Sequence, residues 1–242
     1  MKQHNSLEAI IMSRVSDLSP ELILDLGCGA GQFIGMLTEC VSDYRTAVGV
    51  DPDKDSLDEA RRSYADWRTS FMQRDAARLP FADQKADIIS ISNALHHIPE
   101  PHAALAEARR VLSSDGLLII HEMYDADYPP AQALWRDAHH LKADIDSVKG
   151  LSHRHTYIRE DILSLVRDAG FQVDDVHDYS PDPPEHNHWP DVLRDYLGFV
   201  KDSPESQDLQ QQISEVLDRM ATLHAGDQEV TPPRHVVIFG VR

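Results

Sequence analysis

Cysteine is scarce in this chain. Two residues, Cys28 and Cys40, in 242 positions leave no disulfide framework, and the reducing cytoplasm is the expected compartment. Long apolar runs are missing too: none approaches the ~18 residues of a membrane span. The opening stretch MKQHNSLEAIIMSRVSDL has neither a long apolar segment nor a small-residue cleavage site, so no signal peptide is expected. Positive charge is in short supply, with 23 Lys and Arg against 41 Asp and Glu and a formal net charge of −18. Such a surface repels phosphate backbones. The densest basic pairs, Arg61-Arg62 and Arg109-Arg110, fall inside predicted helices as solvated faces. Neither nucleic acid nor a membrane is therefore an expected partner. A neutral or cationic small molecule is.

What is present is a 41% hydrophobic chain of a length that fits one large domain, or one domain with a sizeable insertion. Short apolar runs alternate with amphipathic stretches. LILDL, TAVGVD, TSFMQRD, ADIISISNAL and GLLIIHE read as strands, the last entered through an Asp115-Gly116 turn. Helices are predicted over residues 6–18, capped by Ser6, and over 31–41, 54–65 and 102–113. This order predicts an α/β fold whose parallel sheet is covered on both faces, with ligands at the carboxyl ends of its strands. The alternation stops near residue 123. A helix over 128–148, a polar loop KGLSHRHTY, a helix over 157–169 and a sixth strand FQVDDVHDY follow. SPDPPEHNHWP reads as a loop. Residues 204–224 form the clearest amphipathic helix, with Ser203 as cap and Pro204 at its first position, before a seventh strand RHVVIFGVR.

The chemistry concentrates in LILDLGCGAGQF. Its glycines, Gly27, Gly29 and Gly31, let a strand turn sharply and a ligand approach the backbone. The dinucleotide fingerprint G-x-G-x-x-G needs a third glycine where this chain has Gln32. Asp25 adds a negative charge beside the loop, hostile to a pyrophosphate and favourable to a cationic nucleoside. Asp51, ending the second strand, can accept two hydrogen bonds from ribose hydroxyls. Asp75, after the third strand, can accept one from an exocyclic adenine amine.

Taken in order, LDLGCGAG, VGVDPD, RDAARLPF, ADIISISNALHHI and LSSDGLLIIHE resemble the class I S-adenosylmethionine-dependent methyltransferases, closest to the small-molecule branch that includes the ubiquinone and menaquinone C-methyltransferases. The resemblance is strong over residues 20–122 and weaker over 156–180 and 234–242. It implies a Rossmann-like seven-stranded mixed sheet with an antiparallel last strand and S-adenosyl-L-methionine as cofactor. Gly27, Gly29 and Gly31, with the Cys28 backbone, would cradle the methionine part beside Asp25. Asp51 would bind the ribose, Pro52 would lie against the adenine, and Asp75 and Ala76 would read its edge. Ser92 or Asn93 would form the floor under the methyl donor. Residues 1–19 would cap the domain and 124–156 would form a lid. The long segment 181–233, where the family usually has a hairpin, would be a helical insertion. Its apolar stripe would pack on the parent domain or, left free, serve as a homodimer surface.

The candidate catalytic side chains are His97 after the fourth strand, His121 and Tyr124 at the end of the fifth, and His155 in the polar loop. Each competes with a structural role in capping, packing or hydrogen bonding. The 14 histidines raise the idea of a metal, but HxxxH and HExxH spacings are absent and none is expected. The Pro-Cys pair of cytosine C5-methyltransferases and an Asn-Pro-Pro-Tyr sequence after strand four are absent too, in line with a small-molecule acceptor. A non-catalytic S-adenosylmethionine or S-adenosylhomocysteine binder acting through the inserted helices is the second reading. A nicotinamide dehydrogenase is the third, disfavoured by Gln32 and Asp25.

Overall fold

The structure, a computed structural model, describes residues 6–183, 188–200, 207–226 and 228–242. It divides into two compact units: Met1–Met123, Arg159–Tyr179 and His235–Arg242 form the first, Tyr124–Ile158 and Ser180–Arg234 the second.

The first unit holds a seven-stranded sheet in the order β3-β2-β1-β4-β5-β7-β6. The strands are β1 (Leu22–Leu26), β2 (Thr46–Asp51), β3 (Thr69–Gln73), β4 (Ala86–Ser92), β5 (Leu112–Met123), β6 (Gln172–Tyr179) and β7 (His235–Val241). β1 to β5 pair in parallel, and β7 runs antiparallel between β5 and β6. The helices are α1 (Leu7–Val15), α2 (Gln32–Cys40), α3 (Lys54–Tyr64), α4 (Pro101–Val111) and α6 (Arg159–Asp168). Ile23, Ile34, Leu37, Leu57 and Phe239 lie fully buried in one cluster that joins helices to sheet. The chain runs outward from β1 to β3 and returns to β4 beside β1, so a crevice opens at the carboxyl ends of β1 and β4.

Local chemistry explains most boundaries. Ser6 accepts the Ala9 amide at 3.2 Å and starts α1. Asp53 accepts the Ser56 amide at 2.8 Å and starts α3. The Asp115-Gly116 turn is instead a bulge inside β5. Its partner β4 advances from Ala86 to Ile88 while β5 advances from Leu112 to Leu117, and the surplus residues loop out without ending the strand.

The second unit packs α5 (Pro130–Val148), α7 (Trp189–Val200) and α8 (Gln207–Ala225) around a core of its own. Leu134, Leu141 and Ile145 of α5 meet Trp189 and Leu193 of α7 and Ile213, Val216 and Met220 of α8. The stripe expected along the long helix is thus real, but α5 and α7 cover it. The segments expected separately as lid and insertion share this one core. The expected Ser203 cap and Pro204 start lie outside the described residues, as does part of the SPDPPEHNHWP loop. Helix α7 begins at Trp189, inside the proline-rich stretch expected to be loop through Pro190. Proline is tolerated in a helix's first turn, where its missing N–H has no partner to lose. No helix among the described residues is long and apolar enough to cross a membrane.

Candidate functional site

The glycine loop follows β1 and is stitched to β2. The amides of Gly27 and Cys28 both donate to the Val50 carbonyl, at 2.7 and 3.1 Å. Gly27 has φ +71°, and a Cβ there would lie 2.5 Å from the Ala94 Cβ, so a side chain meets both strain and collision. Gly29 has φ +50° with no heavy atom within 4 Å of its Cβ position. Its bare face is turned to open space, where a ligand can lie against the backbone. Gly31 is the N-cap of α2.

Asp51, the last residue of β2, holds this loop in place. Its Oδ2 accepts the Gly29 amide at 2.9 Å and its Oδ1 the Asp53 amide at 2.8 Å. A carboxylate has about four lone-pair directions, so each oxygen can still accept a hydroxyl. That is the geometry a vicinal diol needs. At the neighbouring strand end, Asp75 is exposed and its Oδ1 accepts the Ala77 amide at 2.9 Å, while Ala76 is buried. Pro52 is exposed, and its carbonyl accepts Gln73 Nε2 at 2.9 Å, tying the ends of β2 and β3 together.

Asp25 lies beneath the loop, fully buried. Its Oδ1 accepts the Ser90 hydroxyl at 2.7 Å, and its Oδ2 has no hydrogen-bond partner among the described residues. Burial raises its pKa to about 7, with the nearby Asp51 charge pushing the same way against the Ser90 hydrogen bond. Burial also pushes the Cys28 thiol up, aided by Asp25 and Asp51, which keeps it from acting as a thiolate nucleophile. Ser90 was missed in the sequence, because β4 is buried from Ile88 to Ile91 and no alternation singles it out.

The ends of β4 and β5 form a second polar group. Ser92 Oγ lies 2.8 Å from His121 Nδ1, and His121 Nε2 lies 2.7 Å from the Tyr179 hydroxyl at the end of β6. The His121 ring stacks on His235 at 5.0 Å. Burial, then His235, holds its pKa well below the ordinary histidine value, so it stays neutral. With both nitrogens engaged, His121 bridges two hydroxyls. Sequence reasoning missed Tyr179, which closes strand β6. We expect Tyr179→Phe to lower stability by about 1–3 kcal/mol in denaturant unfolding, since a buried imidazole nitrogen loses its partner. A loss under ~0.5 kcal/mol would speak against the bridge.

Asn93 adopts φ +46°, and its Oδ1 accepts the Met123 amide at 3.1 Å, fastening β4 to β5. Glu122 is fully buried, accepts the Leu95 amide at 2.9 Å and bonds His96 Nδ1. His97 is exposed one residue beyond, its ring 4.3 Å from that of His96. The first unit therefore gathers the whole expected nucleoside set, from Asp25 to Asn93, at the ends of four adjacent strands, together with His97 and His121.

Tyr124 and His155 belong to the second unit. Tyr124 is buried, and its carbonyl accepts the Tyr128 hydroxyl at 2.7 Å. His155 is exposed, bonded to Asp144 at 2.8 Å and stacked on His140 at 4.1 Å. His153 bonds Asp146 at 2.8 Å and His140 bonds Thr156 at 2.9 Å, so these histidines fasten the loop after α5 back onto that helix.

The residues fit a cationic nucleoside. The loop offers a bare backbone face at Gly29, the Asp51 carboxylate has lone pairs for a diol, and a buried carboxyl oxygen lacks a donor. A pyrophosphate would face Asp25 and Asp51 together.

A family described as "Methyltransferase domain" matches residues 24–120. A 37.1 kDa protein of transposon Tn4556 from Streptomyces fradiae is 30% identical over 176 residues, covering 71% of this chain and 49% of that one. The chain thus spans about half the length of that relative. The ubiquinone/menaquinone biosynthesis C-methyltransferase UbiE of Campylobacter jejuni strain 81-176 is 27% identical over 175 residues, covering 65% of this chain and 73% of that enzyme. The YcgJ protein of Bacillus subtilis, a solved structure, shares the fold at TM-score 0.68 and 19% identity, with 97% of each chain covered.

Proposed function

Through the domain at residues 24–120 the chain belongs to the class I S-adenosylmethionine-dependent methyltransferases, and on that premise we propose that it methylates a small-molecule acceptor. The single observation that carries this reading is the Asp51 carboxylate, which holds the glycine loop by Gly29 and keeps acceptor capacity for a ribose. The formal charge of −18 supports a small acceptor over nucleic acid. Two free, buried cysteines support a cytoplasmic setting.

The bound cofactor supplies an electrophilic methyl group on a sulfonium. The chain's own work is positioning, exclusion of water and placement of charge. Gly27, Cys28, Gly29 and Gly31 line the methionine end, Asp51 takes the ribose hydroxyls, and Pro52, Asp75 and Ala76 take the adenine. Ser92 and Asn93 form the floor at the β4 end. His121, neutral and bridged to Tyr179, is a positioning residue that fixes the Ser92 hydroxyl. His97, exposed at the same strand end, is the base we assign if the acceptor must lose a proton.

The test is turnover. Incubated with methyl-labelled S-adenosylmethionine and a metabolite extract, the protein is expected to label a small-molecule fraction. Label confined to nucleic acid or protein would overturn the acceptor class. Cofactor binding without any label would make the chain a binder.

A further inference from the structure

Among the described residues no basic side chain acts on the Asp25 carboxyl. On β4, Ser90 donates one hydrogen bond to its Oδ1. On β2, the charged group that faces it is Asp51, of like sign. In the glycine loop, the Cys28 thiol is held neutral, chiefly by burial. From α2, only the backbone amide at Ile34 acts on it favourably. The basic side chain that acts on this corner is Arg61 of α3, which hydrogen-bonds Asp58 and the Phe71 carbonyl and influences Cys28. Oδ2, buried and without a hydrogen bond among the described residues, can therefore take a donor or a cation that arrives from outside the chain.

We propose that Asp25 couples cofactor binding to proton release. Its carboxyl is protonated in the ligand-free protein near neutral pH and ionises as the ammonium end of the nucleoside enters the glycine loop. The proton passes to the buffer, and no covalent bond other than O–H is broken. This inference rests on the methyltransferase reading and adds a regulation to it. Affinity rises with pH up to neutrality, by as much as tenfold per pH unit, because binding and deprotonation are linked. A site that loads poorly in acid and fully at neutral pH follows from one unpaired carboxyl.

The probe is S-adenosylhomocysteine, whose amine is already charged at pH ~6.5. Calorimetric titrations in phosphate and in Tris at that pH are expected to give different enthalpies, the difference corresponding to release approaching one proton per site. D25N is expected to bind more weakly, with the same enthalpy in both buffers. Infrared difference spectra are expected to lose a protonated carboxyl band on binding in the native chain and not in the variant. Equal enthalpies in both buffers for the native chain, or a buffer dependence kept by D25N, would overturn the proton coupling and leave the methyltransferase reading standing. No binding at all would overturn that reading and this inference together.

Discussion

Asp51→Ala is expected to bind S-adenosylhomocysteine about five- to more than a hundredfold more weakly than the native chain, a loss of about 1–3 kcal/mol. Two effects add in the same direction. The ribose hydroxyls lose their acceptors, and the Gly29 and Asp53 amides, bonded at 2.9 and 2.8 Å, lose theirs. The loop that must lie against the ligand is then no longer held in place. Asp51→Asn should be intermediate, because its single amide oxygen can serve either the loop or the ribose. Calorimetry on the folded variants reads both. Unchanged affinity in Asp51→Ala would refute the ribose assignment.

Asp25→Asn should act in the opposite sense on stability. A carboxyl raised from 3.8 to about 7 on folding binds its proton more tightly in the folded state. Its stabilising effect is present in acid and is lost as pH rises through the folded-state value. Above pH ~7 the native chain therefore carries a penalty of up to about 4 kcal/mol, which shrinks to nothing near pH ~4. Asn keeps an acceptor for Ser90 and has no charge to bury. The ligand-free variant is therefore expected to be more stable than the native chain at pH ~8, with the advantage fading on acidification. Denaturant unfolding at several pH values measures it. A variant less stable at pH ~8, or an advantage independent of pH, would contradict this account of Asp25. Together the two variants separate a residue that holds the loop from one whose burial is tolerated for the ligand's sake.

The order of strands and helices up to residue 123 was legible because short apolar runs alternate with amphipathic stretches, two of them opened by the side-chain caps Ser6 and Asp53. That the proposed nucleoside residues lie together was legible for a related reason. Glycines at fixed spacing and aspartates at strand ends are local signals, and the parallel sheet brings strand ends together without further instruction. Partners distant in sequence were not legible. Ser90 meets Asp25 across neighbouring strands, and Tyr179 meets His121 from 58 positions away. Period-two alternation says which face His121 takes but not that both its nitrogens are engaged. The shared core of α5, α7 and α8 was hidden likewise, since an apolar stripe on one helix does not name what will cover it.

Calorimetric titration of the ligand-free protein with S-adenosylhomocysteine and, separately, with NAD tests the central claim most directly. The account predicts saturable binding of S-adenosylhomocysteine at one site per chain and no heat with NAD. Binding of NAD, or no binding of S-adenosylhomocysteine, would contradict it.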